Sequence, residues 1–181
     1  MNFKKICLFC GSRSGSHYKW STMAKELGEK VANNNWEIVY GGGRWGLMGE
    51  TAEAALRSGS KVTGIITNEL LNTESSPQNL NDLIVVNSMS ERKKQMIELA
   101  DVFLVLPGGI GTLDELFEVW TTKQLSQHSK PIILLNFESY FDSLIVFIEK
   151  TVDEGFMTDV HMEHLIVCET VDEVVSKIFN C

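Results

Sequence analysis

Val102-Phe-Leu-Val-Leu106 runs without a break into Pro107-Gly-Gly-Ile-Gly-Thr-Leu-Asp-Glu115 and on to Leu116-Phe-Glu-Val-Trp120. Five apolar residues with no polar alternation suit a strand buried on both faces, and Pro107-Gly-Gly ends it. Beyond the glycines, Leu113, Leu116, Phe117 and Trp120 recur at helical period on one face. The stretch reads as strand, glycine turn, helix. The same unit repeats outward in both directions. Upstream, Ile6-Cys-Leu-Phe-Cys10 precedes Gly11-Ser12, Trp36-Glu-Ile-Val-Tyr40 precedes three glycines, residues 62–66 lead into a polar stretch, and residues 83–86 end at Asn87. Downstream, residues 132–135 end at Asn136 and residues 165–168 close the series. Helical faces lie between them, with Leu144, Phe147 and Ile148 on one and Val171, Val174, Val175 and Ile178 on another. This alternation predicts an α/β fold: a parallel sheet of about seven strands flanked by helices on both faces, with residues 1–181 as a single domain. Residues 68–82, rich in Asn, Ser and Thr with Pro77, are expected to form an irregular crossover.

Ligands of such sheets bind beyond the carboxyl ends of the strands. Function is therefore expected at the tips after Cys10, Tyr40, Asn87 and Leu106. Sixteen Lys and Arg against 24 Asp and Glu give a net charge of −8, which argues against a nucleic-acid or anionic-membrane partner. A local basic site for a small anion stays open. No apolar run approaches the roughly 20 residues of a membrane span, and the first apolar run is shorter than a signal-peptide core, so a cytoplasmic location is expected. Four scattered cysteines do not make a disulfide scaffold.

Two tips are glycine-rich. Gly41-Gly-Gly43-Arg-Trp-Gly46 contains G-x-G-x-x-G, but it follows the second strand, and the next strand ends without an acidic residue to hold a ribose. A dinucleotide site is disfavoured, and glycines that let the turn pass close under a neighbouring loop are the plainer reading. At the second tip, Gly108, Gly109 and Gly111 allow several N–H groups to converge at a helix start, which suits a phosphate. No Lys follows, so this is no Walker loop, and a monophosphate fits better than a triphosphate. Thr112-x-x-Glu115 also spells a capping box, which would make Glu115 structural. Its alternative role is a carboxylate one step beyond the phosphate, at the sugar.

Ser88-Met-Ser-Glu-Arg-Lys-Lys94 opens another helix with the box Ser88-x-x-Glu91. Arg92 and Lys93 fall on the flank that should face the core, beside the active edge, where an anion or carboxylate would have to meet them. A solvated basic patch is the competing reading. Cys7-x-x-Cys10 lies within a strand and reads as two buried thiols. His161-x-x-His164 lacks further ligands at a zinc-like spacing, so neither metal nor other cofactor is expected.

The Arg92-Lys93 pair followed by Pro107-Gly-Gly-Ile-Gly-Thr-Leu-Asp-Glu115 resembles the hallmark of the LOG ("Lonely Guy") family, the cytokinin riboside 5′-monophosphate phosphoribohydrolases. Phe9-Cys-Gly-Ser12, Tyr40-Gly-Gly-Gly43, Gly46-Leu-Met-Gly49 and Glu154-Gly-Phe156 extend the likeness over most of the chain. The resemblance implies a Rossmann-like fold and a homodimer or larger homo-oligomer whose partner subunit helps complete the site. It also implies hydrolysis of a nucleoside 5′-monophosphate, AMP or a cytokinin nucleotide, to free base and ribose 5-phosphate. Its essential pair maps onto Arg92 and Glu115, and its phosphate loop onto Gly108, Gly109, Ile110, Gly111 and Thr112. Met89 and Lys93 would flank the nucleotide, with Glu74 and Thr121 as further contacts. The first two strand tips add Ser12 and Gly43 as candidates. Members have also been labelled lysine decarboxylases, but no lysine here has a recognisable setting for a pyridoxal Schiff base. A carrier or sensor that binds a nucleotide without cleaving it is the alternative on this fold. On this reading Arg92→Ala should cost activity with little stability.

Overall fold

The computed structural model describes residues 4–74 and 80–181, with residues 72–74 described by backbone alone. All seven predicted strands form, each within one residue of its predicted ends: β1 (Lys5–Phe9), β2 (Glu37–Tyr40), β3 (Val62–Thr67), β4 (Asp82–Val86), β5 (Val102–Val105), β6 (Ile132–Leu135) and β7 (Leu165–Cys168). Helices α1 (Tyr18–Asn33), α2 (Gly46–Arg57), α3 (Asn68–Glu74), α4 (Met89–Leu99) and α5 (Ile110–Gln124) alternate with the first strands. A 3₁₀ turn (Phe137–Ser139), α6 (Asp142–Asp153), α7 (Asp159–Met162) and α8 (Val171–Phe179) complete the chain.

The strands pair in parallel in the order β4-β3-β2-β1-β5-β6-β7. From β1 the chain steps outward to β4, then returns to lay β5 against the other side of β1. Loops after β1 and β5 therefore leave in opposite directions, and a crevice opens between them. Strand alternation sends Ile6 and Leu8 into one apolar core, which α1, α2 and α8 cover. Cys7 and Phe9 enter the second core, under α4, α5 and α6. Cys7 and Cys10, an odd number of residues apart, fall on opposite faces as separate buried thiols.

Three expectations need correction. Burial on both faces fails at the sheet edges: Leu83 and Val85 of β4 and Val167 of β7 are exposed, because an edge strand has a helix over less of its surface. Phe117 of α5 and Phe147 of α6 are also exposed, since the buried stripe of α5 runs through Thr112, Leu116, Val119 and Trp120, and Ile148 carries the contact of α6. The crossover after β3 begins as helix α3, where the Thr67 hydroxyl accepts the Leu70 N–H at 3.2 Å.

Candidate active site

A cavity of about 630 Å³ occupies the crevice between β1 and β5. Its floor is the start of α5. The N-cap is Gly109, whose carbonyl accepts Leu113 N at 3.2 Å, and no side chain caps the helix. The capping box expected at Thr112 and Glu115 therefore does not form. The helix starts at Ile110, which makes Thr112 its third residue and turns that hydroxyl onto Gly108, where an added Cβ would strike it. The first N–H groups of a helix have no intrahelical acceptor, so those of Ile110, Gly111 and Thr112 are left for a ligand. At Gly109 and Gly111 a Cβ would stand in open space, and neither residue has positive φ. Packing and backbone conformation thus leave both glycines unexplained, and the open space beside them gives a ligand room to approach the backbone closely.

Glu115 lies one helical turn further along and also lines the cavity. Its side chain is 13% exposed, and its Oε1 stands 3.8 Å from Arg92 Nη1. That is an ion pair and not a hydrogen bond. Burial is the largest influence on this carboxyl and pushes it up to about 7; the Arg92 guanidinium opposes the rise, Asp114 adds to it, Lys93 opposes and Glu118 adds.

Arg92 reaches the site from the first turn of α4, whose box does form: Ser88 Oγ accepts Glu91 N at 3.1 Å, and the Glu91 carboxylate accepts Asn87 N at 3.0 Å. The guanidinium is buried. Its Nε donates to the Ile65 carbonyl at 3.0 Å and its Nη2 to the Gly41 carbonyl at 3.2 Å. A Cβ added at Gly41 would collide with the guanidinium. Gly46 has φ +66° and presses on the backbone of Ser12 and Arg13. The glycine run after β2 is therefore filled by the protein's own loop and arginine, as the close-packing reading expects.

Of the residues singled out from sequence, Ser12, Met89, Arg92, Glu115 and all five of Gly108, Gly109, Ile110, Gly111 and Thr112 line this cavity. Gly43 is buried and lies outside the lining. Lys93 turns away and pairs with Asp114 at 3.0 Å and with Glu118, tying α4 to α5. Thr121 is exposed, less than two helical turns beyond Glu115 on α5, and lies outside the cavity lining. Glu74 ends α3, and its side chain lies outside the described residues. His161 and His164 stand elsewhere with rings 5.9 Å apart, and no group of three metal-ligating side chains gathers among the described residues.

Sequence reasoning missed Arg13, Trp20, Leu70 and Tyr140, all in the lining. Arg13 follows a strand tip already suspected, so position could have flagged it. Trp20 and Tyr140 come from segments remote in sequence, and only folding sets them together, with rings 5.6 Å apart and nearly perpendicular.

A seven-stranded parallel sheet with an uncapped helix start and a buried carboxylate at its switch point defines a Rossmann-like α/β protein with an anion-receptive cleft. Residues 48–178 match the family model described as "Possible lysine decarboxylase". The chain is 40% identical over 176 residues to cytokinin riboside 5′-monophosphate phosphoribohydrolase LOG1 of Arabidopsis thaliana, covering 97% of this chain and 83% of that one. LOG2 of the same plant is 44% identical over 156 residues, covering 86% and 73%. The probable phosphoribohydrolase LOGL9 of Oryza sativa subsp. japonica is 39% identical over 176 residues, covering 97% and 78%. The chain belongs to the LOG family of phosphoribohydrolases. Among solved structures, the molybdenum cofactor carrier protein of Chlamydomonas reinhardtii has a TM-score of 0.74 at 19% identity, covering 99% of this chain and 98% of that one. DNA processing protein A of Helicobacter pylori has a TM-score of 0.65 at 14% identity, covering 98% and 80%. These two share the fold. No lysine is among the described residues lining the cavity, so a Schiff-base decarboxylase has no residue to start from.

Proposed function

We propose that this chain hydrolyses the N-glycosidic bond of a nucleoside 5′-monophosphate, AMP or a cytokinin riboside 5′-monophosphate, to free base and ribose 5-phosphate. The observation that carries the reading is the pairing, on one helix, of unsatisfied amides under open space with a buried carboxylate a turn away. The relatives' names support it, since each names a phosphoribohydrolase of such a nucleotide. The phosphoryl group lies on the amides of Ile110, Gly111 and Thr112, which aims the ribose along α5 toward Glu115. Binding energy at the phosphate becomes orientation at the sugar.

Departure of the base builds positive charge on the ribose, and a carboxylate beneath the ring stabilises it. A carboxyl titrating near 7 is also suited to take a proton from the attacking water at neutral pH. Arg92, fixed by two carbonyls, keeps Glu115 from rising further and holds its direction. Ser12 and Met89 supply contacts at the rim. Ile110 is 85% exposed, and Met89 and Phe117 are half exposed nearby, which supports a homo-oligomer whose second subunit covers this mouth. Incubation with AMP and with isopentenyl-AMP, followed by chromatography for free base, tests the activity. Tight binding of both nucleotides with no base released would establish a carrier instead.

A further inference from the structure

The corner between β6 and α6 contains no glycine, yet Glu138 and Ser139 both adopt left-handed backbone, at φ 54° and 57°. Two successive side-chain-bearing residues in this region persist only where the surroundings over-determine them. Here they do. The buried Asn136 carboxamide donates to Asp142 Oδ1 at 2.7 Å and accepts Phe141 N at 2.7 Å, closing the corner on itself. Lys19 of α1 pairs with Glu138 at 2.8 Å. Trp20 packs edge-on against both Phe137 and Tyr140.

The product of this strained corner is the placement of Tyr140. Its ring is 45% exposed at the cavity wall, and its hydroxyl donates to the Gly108 carbonyl at 2.7 Å. The neighbouring parts of that turn are held from within: Gly11 N donates to the Pro107 carbonyl at 3.0 Å, and Gly108 abuts Thr112 and Gly11. The peptide joining Gly108 to Gly109 lacks such packing on its outer side, since a Cβ added at Gly109 would meet nothing and the helix begins only at Ile110. A glycyl-glycine peptide is the freest to flip, and a flip exchanges the edges that its C=O and N–H present. In a trans peptide these groups point oppositely, so a bond to the carbonyl also fixes the amide of Gly109.

We propose that Tyr140 is a positioning residue whose hydroxyl locks the Gly108–Gly109 peptide in the orientation that receives the phosphoryl group. The inference rests on the phosphoribohydrolase reading for its ligand and on the corner geometry for the lock. Tyr140→Phe keeps the ring contacts and removes only the bond. The expected result is a melting temperature within about 2 °C of the parent, with ribose 5-phosphate bound about threefold to tenfold more weakly by calorimetry. KM for the nucleotide should rise by the same factor while kcat holds. In the ligand-free protein, the Gly109 and Ile110 amide resonances should shift or broaden in the variant. Unchanged amide resonances, or ribose 5-phosphate affinity equal to the parent's, would overturn the lock. A parent that fails to bind ribose 5-phosphate would instead sink the phosphoribohydrolase reading, and the amide spectra would still decide the role of Tyr140.

Discussion

Replacing Glu115 by Gln separates what this side chain does for the reaction from what it costs the fold. A carboxyl that titrates near 4.5 in the unfolded chain and near 7 in the folded one binds more protons folded than unfolded between those values. Stability therefore falls as pH rises through that window, by about 3 kcal/mol in full, of which about 2.5 kcal/mol falls between pH 5 and pH 8.5. Gln carries no such charge and escapes the loss. Every other titrating group is common to both proteins and cancels in the difference. At roughly 2–4 °C per kcal/mol for a chain of this length, the melting temperature of Glu115→Gln minus that of the parent should grow by about 5–10 °C from pH 5 to pH 8.5. Thermal scans in matched buffers at equal protein concentration give the number. Base release from AMP should meanwhile drop at least about 100-fold, because the carboxamide neither takes a proton nor balances a ribosyl cation. A melting difference that does not change with pH would refute the buried, raised carboxyl. Undiminished base release by a folded variant would refute its role in the reaction.

Arg92→Ala should be both inactive and less stable, by about 2–4 kcal/mol, since it strands the buried carbonyls of Ile65 and Gly41; an unchanged denaturant midpoint would contradict the two hydrogen bonds. This reverses the expectation, drawn from the functional reading of the sequence, that the change costs little stability. Gly109→Ala and Gly111→Ala should melt within about 2 °C of the parent, because each methyl enters open space, yet raise KM for the nucleotide at least about tenfold by standing over the amides. In contrast, Gly46→Ala puts a Cβ on a left-handed residue against the Ser12–Arg13 backbone and should fail to accumulate as folded protein, read by soluble yield and circular dichroism. Lys93→Ala should change kcat/KM less than about threefold, because the ammonium is spent on Asp114 and Glu118; a larger loss would put Lys93 at the nucleotide.

Much of this molecule was legible along the chain because its main signals are local. Strands buried on both faces leave unbroken apolar runs, helices leave a period, and Gly, Asn or Pro ends most runs, so all seven strands and their parallel pairing follow from sequence. The nine residues from Pro107 to Glu115 point to the proposed anion site in the same local way. Whether Glu115 caps the helix or faces the cavity was not a local matter. Spacing permits the box at Thr112, and only the helix starting at Ile110, with Thr112 folded onto Gly108, frees the carboxylate to face the cavity and Arg92. Lys93 and Arg92 are adjacent in sequence, but about 100° of helical turn sends one to surface carboxylates and the other into the site. Tyr140 reaches Gly108 across 32 residues through a corner of two left-handed residues, and no periodicity encodes that contact. Pattern and turn chemistry thus determined which elements exist and at which edge of the sheet the cleft opens. Burial, long-range hydrogen bonds and charge pairing, all properties of the packed whole, decided which side chains meet there.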